Sequence, residues 1–149
     1  MNVNPETNIT VKIVDSELEK NDCVRIRTQV FVLEQGVDPN HEIDDYDDKC
    51  VHAIALIGSE PVGTGRLIKL SSSKAQIGRM AVLHECRRLQ IGTQILKKLE
   101  KHPHEMQITT LILHAQLYVR NFYENNGYTA TGDVFLDENI SHVLMTKQL

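Results

Sequence analysis

Apolar and polar positions recur along this chain with two periods, and the two periods divide it into strands and helices. Ile9, Val11 and Ile13 share one face of an extended segment with Thr10 and Lys12 on the other, so residues 9–14 read as a first strand. Ser16-Glu17-Leu18-Glu19 then fits a capping box, with a hydroxyl at the N-cap and a carboxylate three residues later. The helix it opens is predicted to run to about Gln35, with Cys23, Ile26, Val30 and Leu33 as its buried stripe and Gly36 as its stop. Residues 51–57 and 62–70 read as strands around a turn at Gly58-Ser59-Glu60-Pro61, with Gly63 and Gly65 marking a bulge or a close backbone approach. Residues 76–83 read as a buried strand. From 88 to 101 the period becomes helical: Leu89, Gly92, Ile95, Leu96 and Leu99 fall on one face, and Thr93, Gln94, Lys97, Lys98 and Lys101 face away. Residues 108–114 are strongly β-forming and apolar, which places them centrally in a sheet. Residues 117–126 read as a short helix stopped by Asn126-Gly127. Residues 128–133 and 140–147 read as a last hairpin around Asp137-Glu138-Asn139. Strand, helix and strand from 76 to 114 form a βαβ unit, so its two strands should be parallel.

Composition narrows the class without changing this picture. At 149 residues the chain suits one domain, 1–149, with no need of a disulfide or metal staple. A net charge of −4 argues against a general nucleic-acid surface. Arg87, Arg88, Lys97, Lys98 and Lys101 lack a companion cluster of stacking aromatics, so no nucleic-acid partner is expected. Cys23, Cys50 and Cys86 are odd in number, widely spaced and outside any CxxC, as for free thiols in a reducing compartment. The polar start, 1–8, reads as a short disordered lead with no signal peptide. No apolar run is long enough to span a membrane, so a cytoplasmic protein without a membrane partner is expected. Residues 36–49 carry Pro39, Asn40 and five aspartates and read as a surface loop: a solvated connection, or an acidic rim for a cationic substrate. Neither Asp44 to Asp48 nor His102 with His104 makes a convincing ligand set, so no metal is expected.

The chemistry gathers at the turn between the strand ending near 83 and the helix after it. The first backbone N–H groups of a helix have no partner inside it, and the helix dipole is positive there. Arg87 and Arg88 add full charges, so a phosphate is the natural guest. Here Arg87-Arg88-Leu89-Gln90-Ile91-Gly92 resembles motif A of the GCN5-related N-acetyltransferases, the GNAT family, whose pattern is [Q/R]-x-x-G-x-[G/A]; Gln90 stands where the first glycine is usual. The stretch from His114 through Asn121-Phe122-Tyr123 to Gly127-Tyr128 is similar to the family's second signature, a strand followed by an "FY…GY" helix. RTQVFVLEQGVD followed by EIDDYD resembles the ElaA-like branch.

The resemblance implies a fold of the α+β type: a central, mixed, twisted sheet of about seven strands with helices on both faces. It also implies an activity, the transfer of an acetyl group from acetyl-CoA to a primary amine by direct attack in a ternary complex. On that reading the cofactor would be held by Met80, Ala81 and Val82 through the strand backbone, by Arg87, Arg88, Leu89, Gln90, Ile91, Gly92 and Thr93 at the turn, and by Asn121. Tyr123 would protonate the departing thiolate; its other reading is a packing residue beside Phe122. Glu34 and Glu42 are the candidate bases bordering the acceptor pocket, with His52 and His142 as further candidates. An acyl-Cys86 intermediate has no histidine–acid pair to support it. The competing reading is a CoA-binding sensor or partner-binding module that keeps the fold without turnover. A small-molecule or peptide amine is expected as the acceptor, and a monomer or homodimer as the protein's state.

Overall fold

The computed structural model describes residues 8–149, without the side chains of residues 104 and 105. The expected lead at 1–8 lies, up to residue 7, outside the described residues, and so does the His104 side chain. The elements run β1 (Ile9–Ile13), α1 (Glu17–Arg27), α2 (Pro39–Glu42), β2 (Val51–Ile57), β3 (Glu60–Lys69), β4 (Lys74–Val82), α3 (Ile91–Lys101), β5 (Thr110–Gln116), α4 (Arg120–Asn125), β6 (Thr129–Asp137) and β7 (Ile140–Gln148). They form a seven-stranded mixed sheet of order β1-β2-β3-β4-β5-β7-β6.

Ser16 caps α1 as expected, accepting from the Glu19 amide, and Glu19 in turn accepts from the Asp15 amide. The helix does not stay α-helical to Gln35. From Thr28 to Glu34 it widens into a π-helix, which brings Glu34 and Gln35 over the sheet and leaves Leu33 exposed rather than buried. The main core lies between the sheet and α3, where Ile91, Ile95, Leu96 and Leu99 are essentially inaccessible. On the other face Ile26, Val30 and Ala81 form a smaller cluster under α1.

Gly63 and Gly65 answer to the close approach of α3. A Cβ on Gly65 would lie 2.6 Å from Met80 Sδ and 2.9 Å from Leu99 Cδ1. The bulge itself sits across from them on β4. Between the pairs Thr64↔Ala81 and Arg66↔Gly78, β3 advances two residues and β4 three. Arg79 takes the extra place with φ of 50°, a left-handed conformation that costs a non-glycine residue strain.

The βαβ strands are parallel, as expected, but only at one end. β4 and β5 pair from Lys74↔Thr110 to Gln76↔Ile112 and then part. Beyond Gln76, β4 keeps only β3, and beyond Ile112, β5 keeps only β7. The bulge at Arg79 lies three residues beyond the last β4–β5 pair, and from there two inner strand edges face each other across a gap.

Candidate active site

The gap between β4 and β5 is a groove of about 490 Å³. Its walls are the β4 edge from Gln76 to Val82, the β5 residues Leu113, His114 and Gln116, and the α4 residues Phe122 and Tyr123. The end of the π-helix crosses above it. Gln35 exchanges two hydrogen bonds with Gln116, at 2.8 and 3.2 Å, and reaches the Tyr118 hydroxyl at 3.3 Å. Farther along, His41 Nδ1 lies 2.7 Å from Glu138 Oε1, joining α2 to the β6–β7 hairpin. One end of the groove therefore opens beside the 87–93 turn, and the other beside His41, Arg79, Glu138 and His142.

At the turn, a short 3₁₀ segment (His84–Cys86) leads into a chain that is left-handed at Arg88, φ 73°, and at Gln90, φ 62°. Gln90 is the N-cap of α3, and no side chain caps the helix. The amides of the first turn are left for an outside acceptor. Ile91 is buried in the core, so it has only its backbone to give; Gly92 sits against the Phe122 ring, 3.2 Å from where a Cβ would be. The left-handed geometry explains why a glycine is usual where this chain has Gln90. Gln90→Gly is expected to raise stability by up to about 1 kcal/mol, read as a higher Tm.

Arg87 lines the groove but is not free. Its Nη1 and Nη2 donate to Glu34 at 2.7 and 2.9 Å, and its Nε donates to the Val82 carbonyl at 3.0 Å. The hydrogen bond from Arg87 holds the Glu34 carboxyl below its ordinary range. Arg88 also lines the groove. Asn121 is exposed in the first turn of α4, one residue before Phe122.

Tyr123 is 8% exposed, between the rings of Phe122 at 4.9 Å and Tyr128 at 5.9 Å. Its hydroxyl bonds to none of the described residues, and burial pushes its pKa well up. It therefore stays protonated in the groove wall.

Glu42 is 4% exposed and closed in by arginines. Its Oε1 accepts from Arg27 Nε at 2.6 Å, and Oε2 lies 3.3 Å from Arg79 Nε. Burial pushes its carboxyl up, against the pull of Arg27 and Arg79. Arg27, wholly buried, also donates to both oxygens of Asp47, at 2.7 and 3.1 Å. Arg66 joins Asp47 to Asp44, at 2.9 and 2.7 Å. Burial works against the charge on Asp47, but the bonds from Arg27 and the Asp44 amide prevail and hold its carboxyl far below the ordinary range.

The loop is solvated at Asp38, Asp45 and Asp48, as expected, but not throughout. Asp38 caps α2, Asp44 and Asp47 turn inward, and Asp48 pairs with Lys20. The sequence reading missed this network. Its one local trace was Arg27, a charged residue within the Cys23–Ile26–Val30 stripe; nothing local pointed to Asp44 and Asp47 as its partners. The acidic groups that border the groove are Glu42, Asp137 and Glu138.

His52 lies outside the groove, in a second cleft with Asp15, Asp48 and Cys50. Its Nε2–H donates to the Asp47 carbonyl at 2.9 Å. Asp47, Cys50 and His52 bring ligand atoms within 4.8 Å of one another. The lone pairs of Asp47 are taken by Arg27, Arg66 and the Asp44 amide, and a cation there would sit beside two guanidinium groups. Cys86 is buried behind the turn, and burial raises its thiol.

Residues 19–149 match the family described as Acetyltransferase (GNAT) domain. A Bacillus subtilis protein, the uncharacterised N-acetyltransferase YjcF, is 33% identical over 136 residues, covering 91% of this chain and 96% of its own. The crystal structure of Escherichia coli ElaA superposes with a TM-score of 0.83 at 26% identity, covering 94% of this chain and 99% of its own. An aminoglycoside 6'-N-acetyltransferase solved in complex with coenzyme A shares the fold, with a TM-score of 0.70 at 18% identity over 93% of this chain and 96% of its own. The groove, the uncapped helix start and the buried tyrosine therefore belong to an acyltransferase chain: the protein is a member of the GNAT acetyltransferase family, with ElaA among its relatives.

Proposed function

We propose that the protein moves an acetyl group from acetyl-CoA to a primary amine by direct attack in a ternary complex. The observation that carries the reading is the groove where β4 and β5 part, with the uncapped start of α3 near one end, an unpaired strand edge along β4 and Tyr123 in its wall. The coenzyme A bound in the aminoglycoside acetyltransferase of the same fold supports it. Its pyrophosphate would meet the amides at the start of α3 with Arg88 and Arg87, and the pantetheine would add along Met80, Ala81 and Val82 as an extra strand. The thioester would then reach Tyr123. Asn121 would border the exposed, nucleotide end. Among the described residues no helix is long and apolar enough to cross a membrane. Cys23, Cys50 and Cys86 are free thiols, which goes with a reducing, cytoplasmic setting.

Glu34 and Glu42 take other roles in this reading than the base expected of them. Both are tied to arginines, Glu34 to Arg87 and Glu42 to Arg27 and Arg79. Glu34 competes with the pyrophosphate for Arg87, while Glu42 holds the loop against the sheet.

Calorimetric titration with CoA tests the site. The wild type should bind, and Glu34→Ala should bind about fivefold more tightly, because Arg87 is released and a carboxylate leaves the phosphate end. A folded protein that takes up no CoA would remove both the enzyme and the sensor readings. Equal affinities in the two proteins would remove the competition between Glu34 and phosphate.

A further inference from the structure

The acceptor amine must lose a proton as its nitrogen bonds to the acetyl carbon, and the two carboxylates once expected to take it are bound to arginines. His142, which no arginine holds, lines the groove. His142 stands on β7 directly across from Gln116, the residue at which β5 ends. Strand alternation sends Val143 and Met145 into the core under α3 and turns His142 to the opposite face, with His114 and Gln116. That face is the groove side of the sheet.

The His142 ring is locked in a particular way. Its Nδ1 lies 2.7 Å from the Ile140 carbonyl. A carbonyl only accepts, so Nδ1 carries the hydrogen and, in the neutral ring, the lone pair is on Nε2. No described residue bonds Nε2. The ring plane is fixed as well. Between Thr131↔Leu144 and Phe135↔His142, β6 advances four residues and β7 two. This irregularity, with Gly132 at φ 78°, delivers Phe135 flat against His142, the rings 5.8 Å apart and 24° from parallel. His114 closes the stack on the other side of Phe135, at 5.3 Å.

We infer that His142 Nε2 accepts the proton of the attacking amine, a conclusion that rests on the acetyl-transfer reading above. The steps balance as follows. An amine arriving as an ammonium first gives one proton away to solvent through the same nitrogen. The neutral amine then attacks the thioester carbon: the N–C bond forms, the C–S bond breaks, and the sulfur takes the proton of the Tyr123 hydroxyl. His142 takes the proton from the new amide nitrogen and returns it through water to the tyrosinate. The products are an N-acetyl amine and free CoA thiol.

The charged and titratable groups in the lining toward this end are His114 on β5, Asp137 and Glu138 on the hairpin, His41 and Glu42 on α2, Arg66 on β3, Arg79 on β4 and Tyr123 on α4. Glu138 is engaged by His41, and Arg79 by Glu42 and Asp44. Asp137 has no ion-pair partner among the described residues. Nε2 can act as a base only while it carries its lone pair.

The test uses the full-length protein and an amine that the wild type acetylates. In single-turnover transfer, His142→Gln should be slower by about a hundredfold or more and should lose the acidic fall of the rate–pH profile, with CoA affinity unchanged within about twofold. Added imidazole should restore part of the rate of His142→Ala, in proportion to its free-base form. A folded His142→Gln with the wild-type rate and profile would overturn the assignment of the base and leave acetyl transfer standing. A wild type that binds CoA and acetylates no amine would overturn both. Should the variants not fold, the nitrogen-15 spectrum of the wild-type histidines decides: His142 must show a protonated Nδ1 and a bare Nε2, and the opposite tautomer would overturn the proposal.

Discussion

Arg27→Met should destabilise the fold by about 3–5 kcal/mol. The methionine fills most of the space but leaves Glu42 and Asp47, each 4% exposed, without the guanidinium that bridges them. Glu42 would then keep only Arg79, at 3.3 Å, and Asp47 only Arg66 and the Asp44 amide, and a buried carboxylate that loses its main partner costs far more than the net worth of the intact pair. For a chain of this length the fall in Tm should be about 10 °C or more. Arg27→Lys should recover little of it, because one ammonium cannot donate along two edges to Glu42, the Glu42 carbonyl and both oxygens of Asp47.

The same network sets an acid limit. Asp47 is held below its ordinary range, so its contribution is in place at neutral pH. It disappears as pH falls below the value of a free aspartate, about 4, toward the lower value in the fold. Asp47→Asn should therefore be less stable than the wild type at pH 7 and converge on it in acid. Thermal melts of the two proteins from pH 7 to pH 3 check the sign. Curves that stay parallel over the whole range would show that Asp47 contributes through packing rather than charge.

Tyr123→Phe should lower the turnover by about a hundredfold while leaving CoA affinity and Tm nearly unchanged. The ring keeps its place between Phe122 and Tyr128, and the hydroxyl has no described partner whose loss would be felt in the fold. Only the donor beside the sulfur is removed. Burial raises the pKa of this hydroxyl, which keeps it protonated across the working range but makes it a weaker acid. The fall should therefore appear in the single-turnover rate, with KM for acetyl-CoA little changed. Equal single-turnover rates across pH would return Tyr123 to the packing role.

The sequence made the sheet legible because its signals are local. Strand alternation at Ile9, Val11 and Ile13, the capping box at Ser16 and the stripe of α3 each depend on neighbours within a turn or two. The family signatures were legible for the same reason, being short and fixed in spacing. Three features could not be read that way. The π-helical end of the first helix, which moves Glu34 and Gln35 over the groove, is set by tertiary contacts with Arg87 and Gln116. The inward turn of Asp44 and Asp47 needs Arg27 and Arg66, distant in sequence, to make burial of a charge tolerable. The exposure of His142 to the groove depends on β4 and β5 parting, with one extra residue at Arg79 beyond the last pair. In each case a long-range partner decides, and composition or period is silent about partners.

Direct transfer to an amine is tested most directly with acetyl-CoA carrying a labelled acetyl group, incubated with the protein in the presence and absence of primary amines. The expected result is release of free thiol only when an amine is present, one N-acetyl amine formed for each thiol, and no label on the protein after quenching. Thiol released without amine and an acetyl group left on Cys86 or any other side chain would contradict it, as would a protein that binds acetyl-CoA and acetylates no primary amine.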